Sequence, residues 1–262
     1  MNVVRLCGGL GNQFYQYAFG KTLESIGLQV SYNIDWYEKP QETPRDFNLE
    51  KFDVKLKYSP FLRIKNTQEP SFSIAVNKEG VNAALRQDAN YRGYWQHPKY
   101  YSGVLESVKK EFVLKKEYYT PLFLDWLGLI ESSDSISLHV RHGDYVTKNS
   151  CYVQPLSYYY EALQYVQGNI FIFSDDIEWC KVKFNPQYFS RNIYFIDLPD
   201  YLSFELMKRC KSKIIANSTF SYWAALLNNN DKDIVIAPKN WRIKEDKLTG
   251  IGHDFPKHWR AL

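Results

Sequence analysis

The sequence reads as an α/β protein with mostly parallel sheets, and three features carry that reading. Through the C-terminal half, short apolar runs alternate with helix-length stretches, the pattern of strands joined by crossover helices. Near the start, Val3–Leu6 runs straight into Gly8-Gly9-Leu10-Gly11 and then into an apolar-striped helix. Polar and charged residues also gather just beyond the predicted strands, where parallel sheets hold ligands.

Taken in order, Val3–Leu6 predicts a first strand and residues 12–26 a helix, with Phe14, Tyr17, Ala18, Leu23 and Ile26 inward and Gly27 ending it. Free backbone N–H groups at such a helix start form a ready site for an anion or a sugar. Gly9 and Gly11 allow close backbone approach, and Asn12 and Gln13 offer amides at the helix mouth; a tight turn with an Asn cap is the structural alternative. Phe14 stands where a dinucleotide fingerprint needs its third glycine. Val30–Ile34 predicts a second strand. Residues 35–87 carry little pattern, broken by Pro40, Pro44, Pro60 and Pro70. Tyr91–Gln96 is an aromatic strand candidate, read either as an acceptor wall or as a core edge. Ser102–Phe112 reads as a helix, and the polar stretch Lys115–Thr120 as the linker between domains 1–120 and 121–262.

In the second half, strands are expected at Ile136–Arg141, Asn169–Phe173, Ile193–Ile196, Lys213–Ala216 and Ile234–Ala237. Helices are expected near Ser157–Val166, Asp176–Phe184, Leu202–Cys210 and Ser221–Leu227. Within Ile136–Arg141 apolar and polar residues alternate, which puts His139 and Arg141 on one face. A guanidinium at a strand end suits a phosphate or carboxylate, because it donates two parallel hydrogen bonds to either. The alternative is an Arg141–Asp144 ion pair. The second strand ends in Ser174-Asp175-Asp176, whose carboxylates could accept from a ribose or a base edge or could cap the next helix. The fourth ends in Asn217-Ser218-Thr219-Phe220, a phosphate cradle at a helix start, or a turn with Ser221 as cap.

Composition narrows the classes. Hydrophobic content of 45% and charged content of 24% over 262 residues are those of a globular protein. The net charge, 33 − 29 = +4, is too small and dispersed for a nucleic-acid footprint. Four scattered cysteines without a CxxC pair read as buried free thiols. No signal-peptide pattern opens the sequence, and no apolar run approaches the roughly 18 residues of a membrane span, so a cytoplasmic protein is expected, at most peripheral to the inner membrane. The single Asp-x-Asp, Asp231-Lys232-Asp233, reads as a solvated turn rather than a metal site.

Several ordered blocks, from the first residues to about Trp241, resemble the α-1,2-fucosyltransferases of glycosyltransferase family 11. They are Gly8–Ala18, Gly93-Tyr94-Trp95-Gln96, His139-Val140-Arg141-His142-Gly143-Asp144-Tyr145, Phe173-Ser174-Asp175-Asp176 and Asn217–Trp223. The third is similar to the His-x-Arg element of α-1,6- and O-fucosyltransferases. It departs from the family's paired arginines by carrying His142 as the second residue.

The resemblance implies a GT-B-like arrangement of two facing Rossmann-like domains. It implies a GDP-β-L-fucose donor held mainly by the C-terminal half, a terminal β-galactoside acceptor fucosylated at its 2-hydroxyl with inversion, and no metal or other cofactor. Arg141 would then neutralise the departing diphosphate, with Asn12 across the cleft and Asp144 the nearest carboxylate. Gly9, Gly11, Gln13, His139, Ser174, Asp175, Asp176, Asn217, Ser218, Thr219 and Phe220 would line the donor site. Two other classes stay open at this point: a nucleotide-dependent oxidoreductase using Gly9-Leu10-Gly11, and a nucleotide-sugar-binding protein without turnover.

Overall fold

Apolar runs that end in glycine or polar residues become short parallel strands, and the stretches between them become the helices that cover their faces. A computed structural model describes residues 1–62, 66–68, 88–147, 151–227, 233–244, 247–252 and 254–262. Much of the weakly patterned stretch, with Pro70, lies outside the described residues, as do Asp231 and Lys232 of the Asp-x-Asp. The chain divides into two compact units, Met1–Lys115 and Lys116–Leu262.

The first unit holds β1 (Asn2–Arg5), α1 (Leu10–Ser25), β2 (Val30–Asn33), β3 (Asn66–Gln68), β4 (Asn90–Arg92) and α2 (Leu105–Glu111). Its sheet is parallel, in the order β2-β1-β4-β3. Helix α1 starts two residues earlier than the sequence suggests, with Gly9 in an extended conformation as its N-terminal flank. It is buried around most of its circumference, because rings meet it on several sides. Phe14 lies 4.3 Å from Phe112 and 5.1 Å from Phe52, and Phe19 stacks on Trp95 at 4.0 Å. The aromatic strand is shorter than expected. It ends at Arg92, and Trp95 turns inward with a φ of +56°, so it is a core residue and not an exposed wall.

The second unit holds α3 (Pro121–Glu131), β5 (Ser135–Val140), α4 (Leu156–Ala162), β6 (Asn169–Ser174), α5 (Ile177–Lys183), β7 (Ile193–Ile196), α6 (Asp200–Arg209), β8 (Ser212–Ile214), α7 (Thr219–Leu227) and β9 (Val235–Ala237). A hairpin of β10 (Arg242–Lys244) and β11 (Lys247–Thr249) and the short β12 (Arg260–Ala261) complete it. Helix α3 was not expected, although its start is legible: Thr120 Oγ1 accepts from the Phe123 N–H, and Pro121 follows at the first helical position. Its apolar residues outnumber Asp125, Gly128 and Glu131, which mark its polar side at helical spacing.

The six-stranded sheet is wholly parallel, in the order β12-β9-β8-β5-β6-β7. Counted from β5, that is 3-2-1-4-5-6 read from the other edge, the order of a doubly wound Rossmann sheet. Every residue of β5 is buried, Ser135, Ser137 and His139 included, because helices cover both faces of a central strand. Its apolar–polar alternation therefore marks no solvent face. All four cysteines are free, with Cys7, Cys180 and Cys210 buried. No described helix is long and apolar enough to cross a membrane.

Gly20 gives a direct test of α1 packing. A Cβ built there would lie 2.3 Å from the Tyr32 hydroxyl, which is itself buried. Alanine in a helix interior ordinarily gains about 1 kcal/mol over glycine. Here overpacking should outweigh that gain, so Gly20→Ala lowers stability by ~1–3 kcal/mol. Urea unfolding checks the sign, and a midpoint at or above that of the wild type contradicts the packing.

Candidate active site

Two neighbouring strands of the second unit send their chains opposite ways. From β5 the connection runs through α4 to β6 on one side; from β8 it runs through α7 to β9 on the other. A crevice opens at the carboxyl ends of such a pair, the usual ligand position in an open α/β sheet. Arg141 and His142 follow β5 directly, and Asn217 and Ser218 precede α7. Two bonds tie the exits together: the Tyr145 hydroxyl donates to the Asn217 carbonyl at 3.1 Å, and His139 Nδ1 shares a 2.8 Å hydrogen bond with Ser221 Oγ.

Arg141 lies one residue past the strand and is held from two sides. Its Nη2 donates to Asp144 Oδ1 at 2.5 Å, and its Nη1 lies 3.1 Å from Asp175 Oδ2. The guanidinium carbon stands 5.1 Å from the centre of the Tyr145 ring. Its Nε–H is buried and has no acceptor among the described residues. Asp175 also takes the His142 backbone N–H on its other oxygen at 3.0 Å. Gly143 is required here, since a Cβ would come within 2.8 Å of the same carboxylate. The Arg141–Asp144 pair foreseen as the structural alternative is thus present, and it orients the guanidinium.

His142 turns away from this cluster. Its Nδ1 bonds Asp176 Oδ2 at 2.8 Å, and its ring stacks on Trp179 at 4.2 Å. Asp176 is the cap of α5, accepting from the Trp179 N–H at 3.2 Å, and the His142 bond holds its carboxyl below the usual carboxylate range. Ser174 Oγ accepts the Asp176 N–H.

At the other exit, Ser218 Oγ accepts the Phe220 N–H at 3.3 Å and so starts α7. Ser221 lies inside the helix on His139, which corrects the reading of Ser221 as the cap. Asn217 is buried, and its amide donates to the carbonyls of Tyr152 and Trp241, 2.7 and 2.8 Å away. Thr219 and Phe220 are half-exposed at the helix start. His139 does not reach the rim. Burial, with Arg141 close by, draws its pKa down to about 3, so the ring is neutral at ordinary pH.

In the first unit, Gly8 has a φ of +77°, and a Cβ on it would lie 2.7 Å from Asn12 Nδ2. Asn12 is half-exposed in the first turn of α1, and its Oδ1 accepts from Gln96 Nε2 at 2.8 Å. Gln13 does not stand at the helix mouth. It is fully buried, donating to Gly8 and Asp46 carbonyls and accepting from the Asn48 and Leu49 N–H groups. Gly11 is buried in the same turn. Phe14 fills the third-glycine position as a core ring, so the close helix approach of a dinucleotide fold is missing. Among the described residues no group of three or more His, Cys, Asp and Glu side chains is placed to hold a metal ion.

The sequence profile of Glycosyl transferase family 11 matches residues 1–261. An Alpha-1,2-colitosyltransferase of Escherichia coli is 32% identical over 93% of this chain and 93% of its own length. The O-antigen biosynthesis glycosyltransferase WbnK of Escherichia coli is 31% identical over 92% of this chain and 95% of its own. Among solved structures, the fucosyltransferase NodZ from Bradyrhizobium aligns with a TM-score of 0.50 over 86% of this chain and 92% of its own. Its sequence identity is 13%, a likeness of fold.

The buried neutral His139 sets a pH dependence. Its folded pKa lies below the unfolded value of about 6.5, so the unfolded chain binds the extra proton. The stability it contributes is complete above pH 6.5 and is lost as pH falls toward 3. Between pH 7 and 5 this amounts to about 2 kcal/mol. His139→Gln should remove that part of the loss in denaturant unfolding at the two pH values; an unchanged pH difference contradicts it.

Proposed function

The chain belongs to glycosyltransferase family 11, and from that premise we propose that it transfers L-fucose from GDP-β-L-fucose to the 2-hydroxyl of a terminal β-galactoside, with inversion, in building an O-antigen-type glycan. Residues 121–262 take the nucleotide sugar and residues 1–120 the acceptor. One observation supports the reading best: a guanidinium fixed beside the exits of β5 and β8, with a buried donor that no atom of the described residues uses. Departure of GDP leaves charge on a phosphate oxygen, and preorganised donors at that point lower the barrier without a metal. Arg141 supplies the positive charge. The start of α7, at Thr219 and Phe220, adds the positive end of its dipole.

Asp144 acts through Arg141, holding the fork in place, rather than as a proton acceptor. Asp175 does the same from the far side, and Ser174 and Asp176 shape the loop that carries it. Asn12 cannot serve as a general base, since an amide does not take a proton near neutral pH; it orients the acceptor hydroxyl. Gly9 keeps the turn before it free of side chain, while Gln13, His139, Asn217 and Ser218 act by position from within the fold. The colitosyltransferase relative favours a second donor reading, GDP-colitose in place of GDP-fucose, at the same site.

Release of GDP in the presence of lactose and either donor separates the two. With the productive donor, Arg141→Ala should cut turnover by about a hundred- to a thousand-fold while thermal stability stays near that of the wild type. Chelators should leave the wild-type rate unchanged. A variant that keeps most of its activity, or a reaction stopped by chelation, contradicts the assignment.

A further inference from the structure

The last residues of the four strands in the first unit form one polar row. Arg5 of β1 stands level with Asn33 of β2, and Gln68 of β3 with Arg92 of β4. The β1–β4 register, Val3 to Asn90 and Val4 to Tyr91, brings Arg5 level with Arg92 when carried one residue further. Residues level on neighbouring parallel strands share a face, with backbones about 4.8 Å apart. The opposite face, with Tyr91 and Tyr32, is covered by α1 through Phe19 and Gly20. The arginines therefore lie on the other face, to which residues 59–62 are fastened. Asn33 Nδ2 donates to the Ser59 carbonyl, Asn90 bonds Leu62 in both directions, and the Arg92 guanidinium lies 4.4 Å over the Phe61 ring.

Two guanidiniums side by side on adjacent strands repel each other. Several other half-buried or buried cations among the described residues face a carboxylate, Arg141 with Asp144 and Asp175, Lys208 with Glu205, and Lys213 with Asp233, while Arg191 and Lys115 donate to backbone carbonyls. Among the described residues no carboxylate pairs with Arg5 or Arg92. Among the described residues both Nε–H groups are buried without an acceptor, and Arg5 lies close to the Cys7 thiol. Both side chains remain half-exposed, so a ligand can reach them. The row lies at the carboxyl edge of a parallel sheet, where ligands enter. An oxyanion between the two arginines would accept from both forks and cancel their repulsion.

We propose that Arg5 and Arg92 form a second oxyanion site, which takes a phosphate or carboxylate group carried by the acceptor. The anion site stands on the strand geometry alone. Its use by the acceptor rests on the acceptor-side reading of the first unit.

The test uses the full chain carrying Arg141→Ala, so that the crevice in the second unit does not report. Inorganic phosphate and glucuronate are each added at constant ionic strength while thermal unfolding is followed. At saturating anion the midpoint should rise by about 2 °C or more, and Arg5→Gln combined with Arg92→Gln should abolish the rise. Arg92→Gln alone, which keeps one guanidinium, should reduce it and guards against a double variant that fails to fold. A larger effect of phosphate points to a phosphorylated acceptor, and a larger effect of glucuronate to an acidic sugar. No rise with either anion, or a rise that survives the substitutions, overturns the site. Otherwise wild-type chain bearing Arg92→Gln should raise KM for lactose 1-phosphate several-fold relative to KM for lactose. An unchanged ratio overturns the acceptor assignment. Absence of transfer to either compound counts against the proposed reaction, and the thermal shift still reads the anion site.

Discussion

The pairing of β5 with β8 is the constraint on which the second unit depends. Between these two strands the winding of the sheet reverses, so their connections leave on opposite sides. Burial fixes the strands in register. Ile136, Leu138 and Val140 of β5 pack with Ile170 and Ile172 of β6 and Ile214 of β8 in one core, each worth about 1.5–3 kcal/mol on burial. A slip of one residue would exchange that set for Ser135, Ser137 and His139. The rim residues inherit their places from this register. Arg141 emerges where the strand stops, and Asn217 and Ser218 emerge opposite.

Electrostatics separates the charges that build the fold from those that can work. Glu205 is wholly buried between Lys208 and Arg209, and Lys213 is wholly buried against Asp233 and the Cys210 carbonyl. Losing one member there strands a charge in the interior, which is strongly destabilising. Arg141, Asp144 and Asp175 are partly exposed, and their pairing is worth much less once water screens it. In the proposed reaction a diphosphate would take over one arm of the guanidinium. The remaining carboxylate keeps the fork aimed. In the first unit the logic is inverted, since Arg5 and Arg92 stand together with no carboxylate among the described residues to release.

Much of the second unit was legible because β5, β6, β7 and β9 carry apolar residues bounded by polar ones, and its helices begin and end within a few residues of the periodic signal; the short, charged β10, β11 and β12 gave no such signal. The rim residues were legible for the same reason: Arg141, Asp175 and Ser218 are of no use to a core and sit beside strands. Other features were hidden by physics that sequence does not display. His139 alternates like an outward residue, yet a central strand has no outward face. Gln13 sits beside Asn12 in a polar turn, yet only the fold shows that its amide is consumed by the 46–49 segment. Helix α3 escaped although Thr120-Pro121 at its start and Asp125 and Glu131 on one side mark it in the sequence. The level placement of Arg5 and Arg92 depends on a strand register across 87 positions, which no local pattern encodes. The family resemblance supplied the proposed reaction, and the geometry supports the roles proposed for these residues.

The central claim is that Arg141, at the reversal of the second sheet, receives the diphosphate of the donor. The most direct measurement is a crystal structure of the chain with GDP bound. The account predicts phosphate oxygens within hydrogen-bond distance of the Arg141 guanidinium and beside the start of α7, with Asp144 or Asp175 displaced from the fork. Clear density for GDP elsewhere, with Arg141 still clasped by both carboxylates, would contradict it.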